Sequence, residues 1–348
     1  MNILVTGGLG SVGRPLVERL ISHGHAVRVM DRKDGQPAIA GAECVGGDIT
    51  DFAQVREHMR GMNAAVHLAA LTYPAAGPGQ EIFHINCAGT YNIYEAAAQE
   101  GIRRVVSASS INALGFNFGV HAFPIQYLPI DEEHPIYTSD AYSFSKQIVE
   151  EIGAYYWRRE GISGVQLRLP GIYPWNFGSG FGERFKQLII RSRQALHDFA
   201  LMPEAEQQAH ARRAIEMRDE ARRLRLMEKP WDERRSDPGE AERFEPLPMV
   251  LSQYPDFWAN LHNQDSAQAF EKGLTADYEG SHPLYVSEDR ISVDLPSAML
   301  IKLFFPDVVL KHPFEGSEAL VSSDKARRLL GFAPEYHFSE WLAQAAGA

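Results

Sequence analysis

The chain opens on a short apolar run, Ile3, Leu4 and Val5, that gives way after Thr6 to glycines at Gly7, Gly8, Gly10 and Gly13. Leu16, Val17 and Leu20 follow at helical spacing, so a strand, a turn and an amphipathic helix are expected in that order. A second apolar run from Ala26 ends at Asp31, and a short strand is expected from Glu43 to Gly46. Ala64–Ala70 reads as a buried strand, followed by a Pro/Gly-rich loop to Gly79 and a helix that carries Asn86 and Tyr91 to Gln99, with Gly101 as its stop. From Arg104 a further strand turns polar at Ser109 and Ser110, and a helix opens at Tyr142 and runs through Trp157. Strand and helix alternate throughout, the pattern of an α/β protein with a doubly wound parallel sheet.

The glycine turn has a chemical reading. A pyrophosphate can sit on backbone N–H groups at a helix N-terminus where side chains do not block it and the helix dipole favours negative charge. Gly7 and Gly10 make room, and Gly13 lets helix and strand pack; Asp31, at the end of the next strand, suits the adenosine ribose hydroxyls. A Rossmann-type dinucleotide domain is therefore expected, with NAD favoured over NADP, although Arg32 and Lys33 offer charge for a 2′-phosphate. Asp48 and Ile49 fall at a strand's carboxyl end and could cover the adenine, or the stretch could simply cap a helix at Thr50 or Asp51.

Composition narrows the classes. A length of 348 residues allows one large α/β domain or two lobes. A formal charge of −11 argues against a nucleic-acid or membrane-surface partner, each of which needs a basic face. Cys44 and Cys87 lack metal-type spacing and read as small core residues in a reducing compartment; no metal site is expected. The first core strand follows Met1 closely and no apolar run approaches a membrane span, so a cytoplasmic protein is expected.

Tyr142 and Lys146 stand one helical turn apart on one face, where a phenol and an ammonium can converge on one ligand. A nearby cation favours phenolate and would make Tyr142 a usable general base.

Taken in order, TGGLGSVG from Thr6, Ser109-Ser110 before Gly115, and Tyr142-x-x-x-Lys146 resemble the extended short-chain dehydrogenase/reductase family, the NAD-dependent sugar epimerases, dehydratases and uronate dehydrogenases. The likeness extends to residues 47–51 (GDITD), 67–70 (HLAA), 86–90 (NCAGT) and 167–173 (LRLPGIY), close over the first half of the chain and looser at its end. The resemblance implies Tyr142 as the acid/base, Lys146 on the nicotinamide ribose, and Ser110 on the reacting oxygen. For the cofactor it implies Ser11 and Val12 in the turn, Leu68, Ala69 and Ala70 at the end of the 64–70 strand, Asn86, Ser109, and Pro170, Gly171 and Ile172 beside the nicotinamide. Thr72 and Asn112 are the matching candidates for substrate, and a homodimer through the Asn86 and Tyr142 helices is the family habit.

Two departures shape the expected chemistry. Family dehydratases carry an Asp-Glu pair directly after the catalytic hydroxyl residue, where this chain has Ile111-Asn112, which argues against dehydration. Nucleotide-sugar epimerases carry a diphosphate-holding Asn where this chain has Gly171, and residues 108–116 (ASSINALGF) are more similar to uronate dehydrogenases. The implied function is hydride transfer between a hydroxyl carbon of a carbohydrate (sugar, sugar acid or nucleotide sugar) and NAD. Epimerisation follows if the reduced cofactor stays, and dehydrogenation of a free uronate or aldose if it leaves. A non-catalytic NAD sensor or scaffold is the alternative from another class.

The expected division is a dinucleotide domain over residues 1–170 plus about 250–280, and a smaller substrate lobe over about 171–249 plus 281–348. A charge-rich insertion, about 185–248, sets Ala214, Met217, Ala221 and Leu224 at three- and four-residue steps, a helix packed along a narrow seam. It reads either as a lid or oligomer contact, or as a solvated helical hairpin packed on its own lobe. Asp265 is expected to cap a helix, Pro283 to open a strand, and Ser297–Phe305 to form a helix. Arg184, Arg290 and Lys311 are the charges available for an anionic substrate group.

Overall fold

A computed structural model describes residues 1–32, 38–174, 181–230, 233 and 239–346; the side chains of residues 181–186, 189, 240 and 345–346 lie outside the described set, as does Lys33. The first three strands are β1 (Asn2–Thr6), β2 (Ala26–Asp31) and β3 (Glu43–Gly46). Next come β4 (Ala64–His67), β5 (Val105–Ser110), a two-residue β6 (Tyr127–Leu128), β7 (Gly164–Leu169), β8 (Gly171–Tyr173), β9 (Asn260–His262) and β10 (Ser281–Tyr285). Seven of these form one parallel sheet in the order β10-β7-β5-β4-β1-β2-β3.

Successive strand residues point to opposite faces, and the apolar runs are divided accordingly. Ile3 and Val5, with Val27 and Val29, pack into one buried cluster, whereas Leu4 and Met30 pack into another. Helix α1 (Gly13–Ser22) and the helix Asn263–Thr275 cover the first face, through Leu16, Val17, Leu20 and Phe270. The second face takes α2 (Phe52–Met59), α4 (Gly89–Gln99) and α5 (Ala141–Glu160), through Val55, Met59, Ile93, Tyr94 and Tyr156. The chain runs outward from β1 to β3 and returns to β4 on the other side of β1, which opens a crevice at the carboxyl ends of β1 and β4.

Several local expectations shift. The buried strand stops at His67, so Leu68, Ala69 and Ala70 belong to the loop above the crevice. The helix through Asn86 starts earlier, with α3 (Gly79–Phe83) joined to α4 by a wide helical turn over His84–Ala88. Helix α5 continues past Trp157 to Glu160, where Gly161 (φ 68°) ends it.

Strand β10 pairs in register with β7, Ser281 opposite Gly164, so residues 281–285 belong to the main sheet and not to the lobe. The helix Asp324–Leu330 likewise sends Ala326 and Leu330 into the sheet's first cluster. The reason is that Leu284 and Val286 complete the apolar face that β7 alone leaves open.

The lobe has its own core, built from Phe116, Leu128, Tyr173, Trp258, Phe304 and Phe338 among others. The insertion is helical: α6 (Phe181–Leu201) and α7 (Glu204–Arg223) form a hairpin. It packs on its own lobe, because Leu196, Phe199, Ala211 and Ala214 are buried in that core. Ala214, Met217 and Ala221 lie on the buried seam as their spacing implies, but Leu224 is 44% exposed and the helix ends there. In its place α7 buries Arg222, whose Nη2 donates to Phe116 O at 2.9 Å.

Candidate active site

The glycine turn is shaped by close approaches. Gly7 takes a left-handed φ of 70°, and a Cβ there would stand 2.7 Å from Ala69 N. At Gly13 a Cβ would stand 2.6 Å from Gly8 Cα, so the first turn of α1 rests directly on the loop it follows. Leu9 N donates to Asp31 Oδ2 at 3.0 Å, which ties the loop to the end of β2. Above this turn lies a cleft of about 340 Å³, bordered by Gly7, Gly10, Ser11, Val12, Gly13, Asp31, Arg32, Asp48, Ile49, Leu68, Ala69, Ala70 and Thr72.

Within that cleft Asp48 Oδ1 accepts from Thr50 N and Thr50 Oγ1, both at 2.8 Å, and these bonds hold its carboxylate below the usual range. The helix cap is Asp51, whose carboxylate accepts from Ala53 N and Gln54 N. The capping reading is met at Asp51, and Asp48 and Ile49 border the cleft.

Ser11, Val12, Leu68 and Thr72 also border a second cavity of about 380 Å³, so the two spaces are continuous. Its walls include Ser109, Ser110, Asn112, Tyr142, Lys146, Pro170, Gly171, Ile172 and Asp256. Helix α5 brings Tyr142 and Lys146 in from one side. Its start is fixed by Asp140, whose carboxylate accepts from Ser143 N at 2.8 Å. Strand β5 brings Ser110 in from below. Asn112 N and Nδ2 donate to Ser110 Oγ at 3.1 and 3.3 Å, which leaves the serine O–H to donate elsewhere.

Burial pushes the Tyr142 phenol up to about 12; Ser110 pulls it back, and Asp140 and Asp256 add to the rise. Burial also brings the Lys146 ammonium down to about 8. The expected lowering of the phenol by Lys146 is not met here. The ammonium donates to Ala108 O at 2.9 Å and lies 5.8 Å from the tyrosine ring centroid, so desolvation decides the sign.

Other candidates are occupied or distant. Asn86 spends its amide on Leu71 N, Leu71 O and Ser145 Oγ, all within 2.9 Å, and so holds the loop above the cleft from behind. The Ser109 hydroxyl donates to Glu150 Oε1 at 2.7 Å. Arg290 is exposed and lines neither cavity, and Lys311 pairs with Asp131. The side chain of Arg184 lies outside the described residues. Asp265 does not cap its helix, a place taken by His262; it is buried and accepts from Glu335 N and Tyr336 N, tying down the C-terminal segment.

Three features were missed. His67, which burial drives down to about 3, bridges Thr6 and Thr90 as a neutral ring. Arg168 and Glu150 form a bidentate pair at 2.8 Å beneath the cleft. Asp256 lines the cavity beside Tyr142. The Arg-Leu-Pro-Gly run marked the position of Arg168, but no spacing signal identifies its partner or Asp256.

Residues 3–209 match the model of the NAD dependent epimerase/dehydratase family. A uronate dehydrogenase of Pseudomonas syringae pv. tomato is 31% identical over 173 residues, 49% of this chain and 60% of that protein. An L-arabinose 1-dehydrogenase (NAD(P)(+)) of Haloferax volcanii is 33% identical over 172 residues, 48% of this chain and 65% of that protein. The aligned stretches thus span less than two thirds of these relatives. Among solved structures, the UDP-glucose 4-epimerase of Thermotoga maritima with UDP-glucose superposes with a TM-score of 0.64 at 17% identity, covering 100% of this chain and 98% of that one. With the glycine turn, the crevice and the Ser-Tyr-Lys cluster built on one sheet, and more than half of the chain matched, the protein belongs to the NAD dependent epimerase/dehydratase family.

Proposed function

We propose that the protein is an NAD-dependent oxidoreductase of the sugar epimerase/dehydrogenase type. The observation that carries this reading is the meeting of Ser110, Tyr142 and Lys146 on one cavity wall, continuous with the cleft over the glycine turn. The cleft suits NAD: the turn presents backbone N–H groups, Gly10 keeps it clear of side chains, and Asp31 lies where ribose hydroxyls would donate. NAD is favoured over NADP because the carboxylate of Asp31 would face a 2′-phosphate.

When bound, NAD supplies the hydride acceptor for a carbinol carbon. Ser110 holds the substrate oxygen through the O–H that Asn112 leaves available, and Tyr142 exchanges the proton with that same oxygen. At about 12 the phenol is protonated at neutral pH, the state that returns a proton to a ketone. To act as a base on an alcohol it must be lowered, and Lys146 is the described cation in the same cavity able to do so. Asn112 Oδ1, buried and without a partner among the described residues, is an acceptor for a substrate hydroxyl, and Thr72 borders both cavities.

Tyr142→Phe tests the assignment: turnover should be lost with NAD binding nearly intact, and full activity in that variant refutes it. Whether the cofactor is retained separates epimerase from dehydrogenase. Near-stoichiometric NAD on the freshly purified protein points to epimerisation, and a protein free of nucleotide points to an exchanging dehydrogenase. The uronate and arabinose dehydrogenases among the relatives favour the second.

A homodimer through α3, α4 and α5 is part of this reading. These helices expose Phe83, Tyr91, Phe144 and Tyr155, with Phe83 and Phe144 stacked at 5.9 Å. A monomeric mass in light scattering at micromolar concentration would count against it. Among the described residues no helix is long and apolar enough to cross a membrane. Both cysteines are free thiols, which suits the cytoplasm.

A further inference from the structure

The catalytic cavity has one wall that none of the motifs supplies. Asp256 stands just ahead of β9 and lines both this cavity and a neighbouring one of about 210 Å³ in the lobe. Its Oδ2 accepts from Asn117 Nδ2 at 2.8 Å. Asn117 is held in turn by Arg218 of the inserted helix α7, whose Nη2 donates to Asn117 O at 2.8 Å and also to Asn117 Oδ1. Among the described residues nothing donates to Asp256 Oδ1, and Arg218 does not line the cavity. Arg218 is thus linked to the carboxyl through Asn117, and Asp256 lines the space where a substrate of Tyr142 would lie.

We propose that Asp256 is a specificity-determining residue: its cavity-facing oxygen accepts a hydrogen bond from a hydroxyl of a neutral sugar, and α7 positions it through Arg218 and Asn117. The inference rests on the oxidoreductase reading above. Two acceptors without a donor among the described residues, Asp256 Oδ1 and Asn112 Oδ1, belong to residues that line this cavity. A neutral sugar offers hydroxyl donors to both, whereas the carboxylate of a uronate, set against Asp256 in place of a terminal hydroxyl, offers no donor there and meets a like charge. Lys146, the cation among the described lining residues, is turned onto Ala108 O. Arg218 and Asp256 lie beyond residue 209, where the family match ends, whereas Asn117 lies within it. The insertion thereby has a task in the site: it sets which face of the carboxyl the substrate meets.

The test is a single turnover of NAD-loaded protein against neutral aldoses and their matching uronates at neutral pH, read by the absorbance of reduced nicotinamide, which reports reduction whether or not the cofactor leaves. Wild-type protein should prefer the aldose by roughly ten-fold or more, the worth of one hydrogen bond to a charged acceptor. In Asp256→Asn the amide oxygen can still accept from Asn117 while its NH₂ group faces the cavity. That variant should bind NAD as the wild type does, lose roughly ten-fold on the aldose, mainly through weaker sugar binding, and shift its preference toward the uronate. A wild-type preference for uronates, or an unchanged ratio in Asp256→Asn, overturns the proposal. The wild-type ratio needs no variant and decides the matter even if Asp256→Asn fails to fold. Reduction of NAD by none of these sugars, nor by nucleotide sugars in the same assay, would overturn the oxidoreductase reading itself, a result distinct from the wrong ratio.

Discussion

The dinucleotide half and the inserted hairpin use charge in opposite ways. Around the glycine turn the decisive groups are backbone amides and one carboxylate at the end of the next strand, all within the first 31 residues. In the hairpin, Arg218 and Arg222 sit on a helix whose charges read as solvent-facing, yet they reach across to Asn117 and Phe116, about a hundred residues earlier in the chain. Position in a motif explains the first region. Only the partner across the fold explains the second, since a charge is buried only where the opposite structure satisfies it.

This contrast can be tested by substitution, beginning with the strongest effect. Tyr142→Phe should lower turnover by about 10²- to 10⁴-fold without moving thermal stability much, because the proton-transfer group is lost while the ring still packs; steady-state kinetics beside a melting curve would show it. Arg168→Met should cost about 3–5 kcal/mol in urea unfolding, because Glu150 is left buried and unpaired beneath the cleft. In the hairpin, Met217→Ala should cost about 2–5 kcal/mol and Leu224→Ala about 0.5 or less, since the first is buried and the second is exposed at the helix end. Equal losses would mean that the seam runs as its spacing alone suggests.

The smallest effect is on pH, where the two regions should respond with opposite sign. The ring of His67 is driven from 6.5 to about 3 by burial, so its contribution is full above pH 6.5 and is lost as pH falls below that value. Glu288, in the lobe, is pushed by burial from 4.5 to about 7, so its contribution is full below pH 4.5 and is lost as pH rises through 7. Asp256, raised from 3.8 to about 6, follows the same rule in its own window. Hydrogen exchange at pH 5 against pH 7.5 should show the β4 region opening more readily in acid and the segment around Glu288 less readily, by about 2 kcal/mol each. Parallel changes in both regions would remove the distinction.

Much of the site was legible in the sequence because its chemistry is local. Gly7, Gly13 and Asp31 follow from the needs of one turn, and Tyr142 with Lys146 from helical spacing. What the sequence does not show is which partners take side chains that have suitable chemistry at suitable positions. Asn86 and Ser109 have the groups to meet a cofactor, but Leu71, Ser145 and Glu150 take those groups first. Asp265 looked like a cap and instead anchors Glu335 and Tyr336. Competition between nearby partners is invisible until the partners are in place.

The sequence by itself determined the alternation of strands and helices, the order of the first crevice and the residues that stand on it, since apolar period, glycine sterics and helical spacing act over a few residues. Only the tertiary structure decided that β10 closes the sheet, that the hairpin enters the lobe core, and that burial rather than Lys146 controls the Tyr142 proton. It alone also set Arg218 behind Asn117 and Asp256 against the cavity. These outcomes depend on desolvation and on contacts between residues far apart in the chain, and neither quantity exists until the fold brings those surfaces together.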